Sequence, residues 1–167
     1  EDTRVVEEVI EACIRLAQRR IGALIVFERG ASLDEFLTQG TTIDAEVSSE
    51  LLYTLFIPSH GNPLHDGAAV VRQGRVTVAG AVLPLTSNAS LDRQLGTRHR
   101  AGMGATEETD AIVVVVSEER GEISMCFNGN IVRGLDAQSL RRALFGVLHP
   151  KLRVTEMLRT SVPPGPP

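Results

Sequence analysis

Val5, Val6, Val9, Ile10, Cys13, Leu16 and Ala17 return every three or four residues behind Asp2 and Thr3, either of which can cap a helix. The spacing predicts an amphipathic helix from about Thr3 to Arg19. Ile21 to Phe27 follows as a nearly continuous apolar run, the pattern of a strand covered on both faces and therefore taken from the middle of a sheet. Further on, Ala68 to Arg72 and Val76 to Leu83 flank Gln73-Gly74, and Ala111 to Val116 and Glu122 to Phe127 flank Arg120-Gly121. Each pair reads as two antiparallel strands joined by a tight turn.

Shorter signals fill the gaps. Ser32 before Leu33 to Phe36 suggests a capped short helix ending at Gly40, and Ser48 or Ser49 caps a second over Glu50 to Phe56. Pro58 to Pro63 reads as a loop. Leu91 to Asp110 is rich in charge and glycine, with Thr97 placed to cap a helix beginning at Arg98. Asp136 caps a final helix carrying Leu140, Ala143, Leu144 and Val147, and Pro163 to Pro167 reads as a loose tail. Hairpins intermingled with helices predict an α/β fold: a mixed parallel and antiparallel central sheet covered by helices on both faces. One domain spans residues 1–160, followed by a disordered tail over 161–167.

Length and charge narrow the function. At 167 residues the chain is one domain's worth of sequence. Seventeen Lys and Arg against 21 Asp and Glu leave a net charge of −4, without the basic excess of a general nucleic-acid binder. Any anionic ligand must be held by a local basic cluster. Cys13 and Cys126 lack the spacing of a zinc or redox pair and read as buried thiols in a reducing compartment. Ala111 to Val116, the longest purely apolar run, is too short to cross a bilayer. The chain starts at Glu1 without a methionine, and the expectation is a piece of something longer, with a membrane anchor among the possibilities for the remainder.

Three polar clusters interrupt the apolar pattern at element ends. In Pro63-Leu64-His65-Asp66-Gly67-Ala68 an imidazole and a carboxylate stand just before a strand, followed by a glycine that admits a close approach to the backbone. His65 and Asp66 can share a divalent cation; the plainer alternative is a turn with a surface histidine. In Gly96-Thr97-Arg98-His99-Arg100 two guanidiniums, an imidazole and the free amides of a helix start meet in one turn, which suits a polyphosphate. The alternative is a solvated basic helix face, since positions two apart on a helix point different ways. Ser117-Glu118-Glu119, after Ile112 to Val116, offers a hydroxyl and two carboxylates for a metal or a ribose, or is a plain hairpin turn. No Walker loop, dinucleotide-binding glycine motif or serine-hydrolase elbow is present.

Taken in order, Leu64-His65-Asp66-Gly67-Ala68, Leu83-Pro84-Leu85, Leu95-Gly96-Thr97-Arg98-His99-Arg100 and Val116-Ser117-Glu118-Glu119 resemble the diadenylate cyclase (DAC) domain. Asp-Gly-Ala and Arg-His-Arg are that family's signatures. Ile21 to Val26 and Ser49 to Leu52 extend the likeness, which covers a core of about residues 21–148. The amphipathic first helix and the ending soon after Leu148 are most similar to the membrane-anchored CdaA type.

The resemblance implies condensation of two ATP into cyclic di-AMP with release of two pyrophosphates, using Mg²⁺, Mn²⁺ or Co²⁺. It implies that Asp66 holds the metal and helps activate a ribose 3′-hydroxyl, with His65 as a second ligand. Arg98, His99 and Arg100 would grip the triphosphate, with Thr97 capping their helix. Gly67, Ala68, Leu83, Ser117 and Glu119 would bind the nucleotide. The product's two equivalent phosphodiester bonds imply a face-to-face homodimer with one ATP per subunit. The resemblance also implies no nucleic-acid partner, no membrane contact by this segment, and a cytoplasmic domain of a bacterial membrane-anchored protein whose anchor precedes Glu1. Val82 departs from the tyrosine that membrane-linked members often carry there, so adenine recognition would rest on aliphatic contacts and backbone hydrogen bonds. Pro58 to Pro63 is longer than the family's pattern. Two rival functions fit the same residues: a metal-dependent phosphohydrolase built on His65, Asp66 and His99, and a non-catalytic nucleotide sensor.

Overall fold

A helix whose buried stripe is set by Val5, Val6, Val9, Ile10, Ala12, Cys13 and Leu16 opens the structure. The computed structural model describes residues 2–88, 93 and 95–150; the predicted tail 161–167 and part of the segment Leu91 to Asp110 lie outside them. Helix α1 (Thr3–Gln18) is capped by Asp2, whose carboxylate accepts the Arg4 amide at 2.9 Å. The chain then turns into β1 (Ala23–Phe27), of which every residue is buried. Ile21 stays out of the strand because its amide donates to the Leu16 carbonyl at the end of the helix.

Next come α2 (Asp34–Leu37), β2 (Thr41–Glu46), α3 (Ser49–Leu55), β3 (Ala68–Arg72) and β4 (Arg75–Ala81). They are followed by α4 (Thr97–Glu107), β5 (Ile112–Val116), β6 (Ile123–Phe127), β7 (Asn130–Leu135) and α5 (Ala137–Leu148). The strands form one sheet in the order β2-β4-β3-β1-β5-β6-β7, with β1 in the middle. β1 runs parallel to β3 and antiparallel to β5, so the sheet is mixed, as expected.

The alternation of side chains along the strands divides the core in two. Ala23, Ile25 and Phe27 of β1 join Ile112, Val114 and Val116 of β5 beneath α1, α3 and α5. Leu24 and Val26 join Val113 and Val115 beneath α4 and the residues of α2. The predicted three layers are therefore present, with helices on both faces. Asp136 caps α5 as foreseen: its carboxylate accepts the Ser139 amide at 2.8 Å. Cys13 and Cys126 are buried free thiols, each pushed up to about 12 by burial.

Strands β2 and β7 were not among the expected elements. Both are edge strands with only half-buried inward positions, so their sequences carry polar residues and no apolar run. For β7 the signal was Asn128-Gly129, where φ is +52° and +75°, the pair of left-handed residues that closes a two-residue hairpin. Both edges are irregular. The β2–β4 register shifts between Thr42 and Ala45, with Asp44 at φ +48°, and the β6–β7 register shifts between Ile123 and Met125, with Gly134 at φ +67°.

Glycines let α4 sit close. A Cβ at Gly102 would meet Cys126 Sγ at 3.0 Å and Val115 Cγ2 at 3.1 Å, and a Cβ at Gly104 would overlap the Pro84 carbonyl. The chain leaving β4 thus crosses α4 at Gly104, and the Thr86 amide donates to the Arg100 carbonyl at 2.9 Å. Because the obstacle at Gly104 is backbone, Gly104→Ala is expected to cost about 1–3 kcal/mol of stability through overpacking. Urea denaturation checks it; an unchanged midpoint would show the crossing to be loose.

Candidate nucleotide site

The site follows from strand direction. β1 and β3 run parallel with Ile25 opposite Ala69, so both begin at one end of the sheet, β1 just after Gly22 and β3 two residues after Asp66. β4 finishes at the same end, with Ala81 opposite Ala68, and so does β5, with Val116 opposite Ala23. Three segments distant in sequence therefore reach one end of the sheet: His65-Asp66-Gly67, Val82-Leu83, and Ser117-Glu118-Glu119.

Helix α4 adds the fourth. The Arg98 guanidinium lies against Gly22, where a Cβ would stand 2.5 Å from its Cζ and Nη1. Its Nη1 is 3.7 Å from Glu118 Oε1. The Asp-Gly-Ala and Arg-His-Arg segments are thus brought to adjacent strand starts, while Arg100, two positions on, points away from Arg98 around the helix.

His99 is buried at 4% exposure. Its Nδ1 accepts the Gly96 amide at 3.2 Å, so in the neutral ring the proton sits on Nε2. That Nε2 is buried and has no hydrogen-bond partner among the described residues. Burial above all, and then Arg133 and Arg98, hold the imidazole's pKa below its ordinary value of 6.5, against the opposing pull of Glu122 and Glu119. His99 is therefore a neutral donor, able to offer one N–H to an acceptor.

This arrangement corrects the helix start. α4 begins at Thr97, one residue before the expected Arg98, and Gly96 is its cap, with φ −79° and ψ −176°. Thr97 makes no capping bond because it already lies inside the helix; the His99 ring accepts the Gly96 amide instead.

Asp66 is exposed and pairs with His65, their Oδ1 and Nδ1 3.4 Å apart. Among the described residues no three His, Cys, Asp or Glu side chains converge on one point. The pair nevertheless fits a hard divalent cation of the kind that takes one or two protein ligands and completes its shell with water and substrate phosphates. Gly67 has a use inside the fold: a Cβ there would overlap the Gly80 backbone, so the group that approaches it closely is strand β4 of the same chain. Ala68 and Leu83 are buried in the α4-side core. Val82 and Leu85 face outward, 57% and 56% exposed. The Ser117 amide donates to the Glu122 carbonyl in the β5–β6 turn, and Glu119 is exposed beside it.

Sequence reasoning chose Glu119 over Glu118, and it is Glu118 that pairs with Arg98. Strand alternation sets no facing inside a turn, so nothing in the pattern could separate them. Gly22 was read as part of the apolar strand Ile21 to Phe27, and nothing in a strand pattern shows which side chain from elsewhere packs on a glycine.

The neutral imidazole has a consequence for stability. The native pKa of His99 is depressed, so its contribution is complete above about pH 6.5 and is lost as pH falls below that value, where the unfolded chain takes the proton more readily. Thermal unfolding from pH 7.5 down to 5.0 should show a smaller fall in Tm for His99→Gln than for the unaltered chain. Parallel slopes would show that His99 titrates as in water.

Comparison with known proteins gives a consistent result. Residues 10–131 match the family described as DAC: DisA bacterial checkpoint controller nucleotide-binding. The cyclic di-AMP synthase CdaA of Bacillus subtilis is 39% identical over 141 residues, 84% of this chain and 51% of that one. The crystal structure of a double-cysteine variant of DacA from Staphylococcus aureus superposes with a TM-score of 0.83 at 38% identity, covering 87% of this chain and 96% of that one. A hypothetical membrane spanning protein from Bacillus cereus superposes with a TM-score of 0.74 at 42% identity, over 78% of this chain and 63% of that one. The chain spans about half the length of the curated relative from B. subtilis. With a family match over residues 10–131 and relatives this similar in sequence and structure, this chain belongs to the DAC family.

Proposed function

We propose that this chain is the catalytic unit of a diadenylate cyclase, joining two ATP into cyclic di-AMP and two pyrophosphates. The observation that carries the reading is the Arg98 guanidinium seated on Gly22, at the same end of the sheet as the turn that holds Asp66 ahead of β3. A cationic fork and a carboxylate–imidazole pair at one end of the sheet support the reading, since phosphoryl transfer asks a protein mainly for position and charge. The names of the relatives from B. subtilis and S. aureus support the same reading.

Each ribose 3′-hydroxyl oxygen attacks the α-phosphorus of the other ATP. A P–O bond forms there, the bond to the β-phosphate breaks, pyrophosphate departs, and the hydroxyl proton is lost. Asp66 lies ready to draw that proton, and with His65 it would hold a divalent cation, Mg²⁺, Mn²⁺ or Co²⁺, which supplies charge neutralisation on the phosphates. Arg98 binds phosphate oxygens, Arg100 adds its charge to the same helix start from another face, and His99 holds that start through its Nδ1. Thr97 presents helix-start amides, and Gly67, Ala68, Leu83, Ser117 and Glu119 form the nucleoside side of the pocket.

Two such openings face each other in a homodimer, because one chain supplies a single set of these groups and the product needs two equivalent bonds. The catalytic core occupies about residues 21–148. None of the helices in the described residues is long and apolar enough to cross a membrane. The B. cereus relative is named as membrane spanning and extends beyond the match, which supports a cytoplasmic domain carried by a bacterial membrane protein.

Mass spectrometry of the products from ATP and Mn²⁺ tests the reading: cyclic di-AMP is expected, while ADP or AMP would establish a phosphohydrolase, and tight binding without product a sensor. Asp66→Asn should reduce turnover at least about a hundredfold while ATP affinity changes little, since proton transfer typically contributes 10²–10⁴-fold. Full turnover in that variant would remove Asp66 from the reaction. Specific activity should also fall on dilution; a rate proportional to enzyme concentration into the nanomolar range would argue for a self-sufficient subunit.

A further inference from the structure

Gly22 is buried, one residue before β1, and its φ lies outside the left-handed region, so its backbone alone does not call for glycine. Space calls for it. The three atoms nearest to a Cβ built at Gly22 all belong to one guanidinium: Arg98 Cζ and Nη1 at 2.5 Å and Nε at 3.0 Å. Elsewhere the obstacles are of other kinds, backbone at Gly67 and Gly104 and core side chains at Gly102. At Gly22 the volume of a missing methyl group is filled by a charged side chain that the function just proposed assigns to phosphate binding.

We infer that Gly22 is the positioning residue for Arg98, its bare peptide forming a slot that fixes the guanidinium plane toward the triphosphate before ATP arrives. This rests on the proposed function for its ligand but not for its geometry. An arginine has several rotatable bonds, and its usefulness toward phosphate lies in the direction of its planar fork. The slot removes that freedom in advance, so less ordering is left for binding to impose. Glu118, 3.7 Å from Nη1, holds the opposite charge beside the same fork. A side chain at position 22 would push the guanidinium out of this place while leaving its charge on the protein, separating aim from charge.

A double-mutant cycle tests this: the unaltered chain, Gly22→Ala, Arg98→Ala and the combination, read by calorimetric ATP affinity with Mg²⁺, by KM and kcat, and by thermal unfolding without nucleotide. Gly22→Ala is expected to weaken ATP binding by about tenfold, the loss of one charge-assisted contact, with KM raised more than kcat falls. In the Arg98→Ala background the same substitution should change neither affinity nor Tm, because the slot is then empty. Equal penalties in both backgrounds, or no effect of Gly22→Ala on the unaltered chain, would overturn the inference. Should the unaltered chain bind no ATP, the proposed function fails, and the unfolding arms alone decide the slot.

Discussion

The structure depends on a strand that can sit nowhere except the middle. Every residue of β1 is buried, and the two faces of the strand feed two separate cores. A segment apolar on both sides must have helices above and below and a strand on each flank. Once β1 takes that place between β3 and β5, the directions of its neighbours decide which loops share an end. Open sheets usually collect ligands outside the carboxyl ends of parallel strands. Here the polar groups gather where β1 and β3 begin, because antiparallel β4 and β5 deliver their carboxyl ends to that same rim.

Much of this was legible in the sequence, for identifiable reasons. Elements that bury a full face betray themselves by period: α1 by its repeat of three and four, β1 and β5 by unbroken apolar runs, and the β3–β4 turn by Gln73-Gly74. Elements that bury half a face do not. β2 and β7 bury little, and their polar content is what an edge position permits, so hydrophobic pattern was silent about them. The start of α4 was misjudged by one residue because a threonine ahead of two arginines resembles a cap, whereas the capping acceptor is an imidazole three residues downstream of the capped glycine.

The site was legible in its parts and not in its assembly. No single motif excludes a plain turn or a solvated helix face; what puts the Asp66 turn and the Arg98 slot at one end of the sheet is the parallel pairing of β1 with β3, a property of two strands together. The same limit explains why the close approach expected at Gly67 could not be traced in advance to the Gly80 backbone. It also explains why Glu118 went unchosen. Residue type narrows what a position can do, and neighbours drawn from elsewhere in the chain select among those possibilities.

The flaws in both outer strands restrict how molecules of this protein can meet. A bulge near Asp44 on one side and a kink around Gly134 on the other interrupt the row of amides and carbonyls that a further strand would need. Sheet-to-sheet continuation, the commonest accidental route to polymers, is thereby blunted at both margins. A second molecule that met this one would have to do so by some means other than adding a strand to the sheet.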